Sequence, residues 1–556
     1  MKKIHPTERL WLLLKPDKKE IRNVYIYAIF FGLVNLSLPV GIQSIINLIQ
    51  GGQMSTSWVI LIIFVILGII ITSILQILQL RITENLQQKI FTRATFDFAY
   101  RLPKIKLEAM IGKYAPELMN RFFDVISIQK GLSKILIDFS TASIQTVFGL
   151  ILLSLYHPFF IVYSLVLIAL VWSIFRLTSK KGLSTSLEES FHKYNVAHWL
   201  EELARTSVSF KLAGETDLPL KRANDVSKHY VDARESHFKV LVNQYILLLI
   251  FKVLVAAGLL IVGSILVIEQ QMNIGQFVAA EIIILMILSS VEKLVMSLES
   301  IYDVITALEK VGQVTDLELE SKEGIDIQQK ENRNGMCVSI NNMTFKYPFQ
   351  NTEIFRDASM HINEGERVLV FGGSESGKTT LLYVLGGLYP VHTGSVVYNG
   401  VPFGNLNPEK LRGNIGDCLM DELLFEGTIF ENISMGRERA TFENVTWAVE
   451  NLGLDDFIKD LPKGYNTVID PQGKQFAKGI VDKLILARSI ADKPKLLLIK
   501  DAFRSMIGED RERIMNFLTS KENGWTIVIA TRDESLRSKV DKVYEAKGKS
   551  INLLSS

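Results

Sequence analysis

Six apolar stretches, each long enough to cross a bilayer, crowd the first 300 or so of the 556 residues. They run approximately Asn23–Ile49, Trp58–Leu80, Ile135–Tyr156, Phe159–Phe175, Tyr245–Ile268 and Ile274–Leu298. A spanning helix needs roughly 20 apolar residues. Six runs of that length exceed what the buried core helices of a soluble protein require. A chain of this size holds more than one domain. Yet 22% of its residues are charged, so polarity is segregated: one apolar part, then one of ordinary soluble character.

Lysine and arginine placement orients the spans, because basic loops stay in the cytosol. Lys2, Lys3, Arg9, Lys15, Lys18, Lys19 and Arg22 precede the first span. The short links Gln50–Ser57, His157–Pro158 and Glu269–Asn273 carry no Lys or Arg, whereas Arg81–Lys134 and Arg176–Asn243 carry many. Both termini and both long links are therefore expected in the cytosol, in an inner or plasma membrane. The long links are largely free of Gly and Pro and read as helical continuations of the spans. The first apolar run is too long for a cleavable signal peptide and lacks a small-residue cleavage site. Lys252 and Glu281 lie inside predicted spans, where charge is costly and often functional. Helix rise puts them at different depths, so Glu281 facing a water-filled cavity and Lys252 snorkelling both stay open. The only cysteines, Cys337 and Cys418, imply no disulfide framework. A net charge of +2 gives no electrostatic support for nucleic-acid binding.

Asp316–Gly335 is polar, without apolar periodicity, and reads as a linker between a membrane domain (1–315) and a second domain (336–556). In the latter, β-rich runs alternate with helical ones, which suggests an α/β sheet. The apolar strand Arg367–Phe371 leads into Gly372-Gly373-Ser374-Glu375-Ser376-Gly377-Lys378-Thr379-Thr380, and a helical run follows. This is G-x-x-x-x-G-K-[ST] in its strand–loop–helix setting. Glycines let backbone N–H groups turn inward around a phosphate, and the helix N-terminus adds partial positive charge. Lys378 is expected to reach the β and γ phosphates of ATP, and the Thr379 hydroxyl to ligate Mg²⁺ if the metal binds.

Six spans with two long cytosolic links, followed by a phosphate-loop domain, resemble an ABC exporter half-transporter over almost the whole chain. Phe345-Lys346-Tyr347-Pro348 is similar to the family's adenine-stacking loop, which implies that Tyr347 supplies the aromatic face. Leu424–Ile433 and Leu484–Ile490 resemble the exporter blocks after the Q-loop and after the signature motif. Gly112–Val125, with Glu117-Leu118-Met119-Asn120-Arg121, is similar to the first coupling loop. The membrane half looks most like haemolysin- and bacteriocin-type exporters, which implies a peptide or protein cargo. The resemblance also implies a dimer, either of this chain or with a second half-transporter, and a possible periplasmic adaptor.

Against that family the chemistry-bearing positions are altered. Counting back from Leu424, the Q-loop glutamine is replaced by Met420, a poor ligand for a hard cation. The signature segment, which acts across the dimer interface, offers Ala477, Lys478 and Gly479, so Ala477 removes a hydroxyl and Lys478 stands for a glycine. Strand Leu496–Ile499 is followed by Lys500-Asp501. In the ungapped register Lys500 replaces the metal-side aspartate and Asp501 takes the general-base position. A one-residue slip makes Asp501 the metal-side acid and leaves Ala502 as the base. Arg532 stands where the switch histidine is expected. A positioned general base is worth about 10²–10⁴-fold in rate. An ammonium about 4 Å from Mg²⁺ costs roughly 8 kcal/mol at an effective dielectric near 20. Lys500 either turns onto Asp501 or Asp533, or nucleotide binds with little Mg²⁺. The expectation is an ATP-binding exporter subunit with weak or lost hydrolysis. The alternative is a non-transporting ATP-sensing or scaffold subunit, and slow hydrolysis on Asp501 stays open.

Overall fold

The computed structural model describes residues 6–51, 56–327, 335–348, 350–419, 423–501, 506 and 508–555. The chain forms two compact units, one of Met1–Pro103 and Lys113–Leu317, the other of Lys104–Gly112 and Glu318–Ser556.

The first unit is helical. In chain order come α1 (Pro6–Leu14), α2 (Lys18–Asn35), α3 (Ser37–Gln50) and α4 (Thr56–Arg101). After α5 (Leu107–Met110), which belongs to the second unit, follow α6 (Ala115–Asn120), α7 (Asp124–Lys134), α8 (Ser140–Ser154) and α9 (Phe159–Arg205). The set closes with α10 (Ser207–Leu212), α11 (Leu218–Ile268) and α12 (Ile274–Thr315). Six helical stretches among the described residues are long and apolar enough to cross a membrane. Both long links are mostly helical, as expected: α4 runs on to Arg101, α9 to Arg205, and α11 starts at Leu218. The first span is not one helix. It breaks between Asn35 and Ser37, where Pro39 lacks an N–H and its ring crowds the carbonyl four residues back. A single π turn at Ile135–Phe139 joins α7 to α8. Helix α12 is the most enclosed: half of its apolar window (50%) is buried, against 17% for α4. Its Ile283, Ile284 and Ile287 pack with Leu153, Phe160, Leu248 and Phe251. Polar ties fix the register of the long helices. Gln244 of α11 donates to Thr178 of α9 (3.0 Å) and to the Tyr302 hydroxyl of α12 (2.9 Å).

In the second unit, β1 (Val338–Lys346), β2 (Glu353–Ile362), β4 (Thr393–Tyr398) and β5 (Val401–Pro402) form an antiparallel sheet in the order β2-β1-β4-β5. The main sheet takes β3 (Arg367–Phe371), β6 (Ile415–Cys418), β9 (Leu496–Lys500), β10 (Thr526–Thr531), β11 (Lys542–Lys547) and β12 (Ser550–Ser555). Its order is β12-β11-β3-β10-β9-β6, parallel except for the β11–β12 pair. Between these strands lie α13 (Lys378–Leu385), α14 (Pro408–Arg412), α15 (Ile429–Ser434), α16 (Phe442–Asn451), α17 (Asp455–Lys459), α18 (Lys478–Ile490) and α19 (Gly508–Leu518), with β7 (Gly427–Thr428) and β8 (Val468–Ile469) as a small separate pair. β3, β9 and β10 are apolar on both faces, which is the pattern of a parallel strand covered on both sides.

Two boundaries differ from the sequence reading. The stretch read as a linker is bonded into the second unit where it is described: Ile325 donates its N–H to the Asn405 carbonyl, and Ile327 is buried in that unit's core. The segment after α4 that joins the second unit is Lys104–Gly112, one step earlier than the coupling-loop pattern. Lys106 N–H donates to the Glu318 carbonyl and Glu320 N–H to Lys104, while Leu107 and Ile111 pack on the core beneath. Glu117–Arg121 stays in the first unit. There the Arg121 guanidinium lies 3.4 Å over the Tyr194 ring and donates to Glu117 at 3.0 Å.

Candidate functional site

Strand register brings the predicted site residues together. β10 pairs with both β3 and β9, setting Thr531 opposite Phe371 and Ala530 opposite Lys500. The residues that leave the carboxyl ends of these strands therefore share one edge. In open α/β sheets that edge is where ligands bind. The loop Gly372–Gly377 leaves β3 there, Lys500-Asp501 ends β9, and Arg532 follows β10.

The loop is held by its glycines. Gly377 sits at φ +88°, and a Cβ there would meet the Phe355 ring at 2.7 Å. A Cβ on Gly372 would lie 2.7 Å from the Ala546 carbonyl. Glu375 also occupies the left-handed region, at φ +61°, where a residue with a side chain is strained. The motif pattern allows any residue at that place, so sequence reading did not single out its backbone. Lys378, buried at the start of α13, donates to the Gly372 and Gly373 carbonyls, both at 2.6 Å, and to Ser376 at 3.2 Å.

A cavity of about 600 Å³ opens over the loop, lined by Gly373 through Thr380 with Ile354, Lys500, Asp501 and Arg532. Arg532 donates to the Ser374 hydroxyl. Asp501 adopts φ +47°, and its carboxylate accepts from the Thr531 hydroxyl at 3.0 Å. Asp533 accepts from the Ser535 N–H at 2.9 Å and pairs with Arg511, and these contacts hold its carboxyl below the usual carboxylate range. Lys500 takes neither partner proposed for it: among the described residues its ammonium forms no ion pair or hydrogen bond. The lining thus sets three cations, Lys378, Lys500 and Arg532, against two carboxylates, Glu375 and Asp501.

The remaining predicted residues lie elsewhere. The Tyr347 hydroxyl shares a hydrogen bond with Thr380 at 2.9 Å, and its ring meets Phe345 and Tyr389 edge-to-face. It adjoins the loop through α13 but is not among the residues lining the cavity. Ala477 caps α18 without a side-chain hydrogen bond, and Lys478 pairs with Asp482 at 2.8 Å one turn on. Gly479 is the second residue of that helix. Met420 lies outside the described residues.

The loop, its lysine and the strand-edge cavity fit a nucleoside triphosphate. They do not fit a divalent cation beside it. Thr379 lines the cavity, and so does the Lys500 ammonium, which among the described residues has no ion-pair partner. No group of three or more His, Cys, Asp or Glu suited to a metal occurs among the described residues.

A phosphate loop at the edge of a parallel sheet, in a chain with six membrane-length helices, defines an integral membrane protein with a nucleotide-binding unit. Residues 355–504 match the ABC transporter family. The colicin V secretion/processing ATP-binding protein CvaB of Escherichia coli is 24% identical over 533 residues, which is 95% of this chain and 75% of that protein. The alpha-hemolysin translocation ATP-binding protein HlyB of E. coli O157:H7 is 27% identical over 277 residues, 50% of this chain and 39% of that one. The multidrug resistance protein pgp-1 of Caenorhabditis elegans is 32% identical over 40% of this chain and 17% of its own length, so several of these relatives are much longer than the part matched. A solved bacterial Atm1-family ABC exporter with ATP bound superposes with a TM-score of 0.84 over 96% of this chain and 94% of that one, at 19% identity. The chain has the fold of such an exporter: six membrane-length helices followed by an α/β nucleotide-binding unit.

Proposed function

We propose that the chain is the ATP-binding subunit of an ABC-type exporter, that it couples ATP binding to outward transport, and that its own hydrolysis is weak or lost. One observation carries this: Lys500 and Arg532 line the phosphate cavity where the family places a metal-side aspartate and a switch histidine. The described lining keeps the loop and Lys378 that hold phosphate, and brings two further cations, Lys500 and Arg532, to the same cavity. Similarity to CvaB along nearly the whole chain supports a secreted peptide or protein as cargo. Lysine and arginine placement supports cytosolic termini and a cytosolic nucleotide-binding unit.

ABC nucleotides lie between one chain's phosphate loop and the other chain's signature. This chain is altered in both roles. A homodimer has two defective sites, and a heterodimer with an intact partner has two mixed ones, so neither assembly supports vigorous turnover. The same alterations favour a second reading, an ATP-sensing regulatory or scaffold subunit. Peptide movement into inverted vesicles separates the two.

The test is ATP binding and phosphate release by the full chain in lipid, with and without Mg²⁺, beside Lys378→Ala. Binding lost in the variant, with turnover well under about 1 s⁻¹, is the expected result. Mg²⁺-dependent, Lys378-sensitive turnover at about 1 s⁻¹ or above overturns it.

A further inference from the structure

We infer that Lys500 and Arg532 take over the charge of the divalent cation, so that the cavity binds nucleoside triphosphate free of metal, a role that rests on the ATP-binding reading above. Bound triphosphate needs its β and γ oxygens neutralised. A hard divalent cation does this when carboxylate, hydroxyl and water oxygens hold it. Here the position next to the loop carries an ammonium with no partner among the described residues, fixed on the last residue of a central strand. From the neighbouring strand Arg532 reaches the loop itself, at the Ser374 hydroxyl. Together they supply two unit charges on the lining of one cavity.

The two cations differ in what they offer. The guanidinium presents planar paired donors to phosphate oxygens, and the ammonium acts as a compact point charge. Their placement is fixed by strand register, since Lys500 pairs with Ala530, two residues before Arg532. Neither Asp501 nor Asp533 draws Lys500 away: Asp501 accepts from Thr531, and Asp533 pairs with Arg511. Such a lining gains little from magnesium, because Lys500 and Arg532 already bring two positive charges to the cavity.

Calorimetric titration of ATP into the full chain in lipid nanodiscs tests this, in excess EDTA and in millimolar Mg²⁺. Wild type is expected to bind equally within about threefold, or more tightly in EDTA. Lys500→Asp is expected to weaken binding in EDTA by about tenfold or more and to regain it with Mg²⁺. If that variant does not fold, Arg532→Met replaces it, with about tenfold loss in EDTA expected. Wild-type binding about tenfold tighter with Mg²⁺, or a folded variant matching wild type in EDTA, overturns metal independence alone. Absence of binding in both conditions, with Lys378→Ala unchanged, overturns the ATP-binding reading and this inference together.

Discussion

Glu375 is the residue on which the phosphate loop is least expected to hold a side chain. At φ +61° it occupies backbone space that costs a non-glycine residue about 1–2 kcal/mol, and it adds a carboxylate to a cavity built for anions. Glu375→Gly removes both. The backbone gain is partly offset by the greater unfolded-state freedom of glycine, about 0.4–1 kcal/mol, so the melting temperature should change little. Affinity carries the signal: ATP should bind about threefold to tenfold more tightly in Glu375→Gly. Glu375→Gln, which removes only the charge, should recover part of that gain. An ATP titration of the three proteins checks this, and equal affinities would mean the carboxylate points away from the nucleotide. That Lys500, Asp501 and Arg532 lie at one cavity could be anticipated from the sequence, because Lys500 ends β9 and Asp501 and Arg532 directly follow β9 and β10. The backbone of Glu375 could not, because a pattern of residue types does not record which positions need a positive φ.

Between elements, the two blocks that carried the family resemblance in the soluble half turn out to be joined. Asn432 of α15 is fully buried. It accepts from Phe425 N–H at 3.0 Å and donates to the Phe425 and Thr428 carbonyls at 2.9 and 3.2 Å. Arg488 of α18 donates to the Asn432 carbonyl at 2.8 Å and to its side-chain oxygen at 3.3 Å. The turn after the Q-loop position and the helix after the signature segment thus share one polar knot. Asn432→Ala removes the acceptor of the Phe425 N–H and one acceptor of the Arg488 guanidinium, and should cost about 2–4 kcal/mol. Thermal unfolding of the full chain in detergent checks it. A loss under about 0.5 kcal/mol would show that the turn reorganises without this amide. Sequence reading found both blocks but not their connection, since they lie more than fifty residues apart and an asparagine's partners are set by the fold. It also placed the six spans, whose apolar length is written directly in composition. It missed the break before Pro39, the π turn at Ile135–Phe139 and the ordered part of the supposed linker. Those depend on one proline's geometry, on local helix strain and on backbone pairing with distant strands.

At the scale of the membrane domain, the intramembrane charge that matters to Lys252 is Glu292, which the sequence reading passed over, and not Glu281. The two pair at 2.6 Å between α11 and α12. Depth explains the choice. Counted from the connection at Ile268–Ile274, helix rise of ~1.5 Å per residue puts Lys252 about 24 Å down α11 and Glu292 about 27 Å down α12. Glu281 is only about 10 Å down. Two antiparallel helices joined by a short link bring equal depths together, and a charge inside a bilayer is tolerated when it meets its opposite. Both side chains keep some exposure, 28% and 38%, so the pair is worth about 1 kcal/mol, as polar contacts between membrane helices usually are. Lys252→Glu sets two carboxylates against each other and should lower stability by about 1–2 kcal/mol. The exchange Lys252→Glu with Glu292→Lys keeps the pair and reverses its sense, and should recover at least half of the loss. Melting of the three proteins in the same detergent decides it. Recovery assigns these residues to holding α11 against α12. A double variant as unstable as the single one would mean that each charge answers to its own surroundings, and would return Lys252 to the candidates for a place on the transport path.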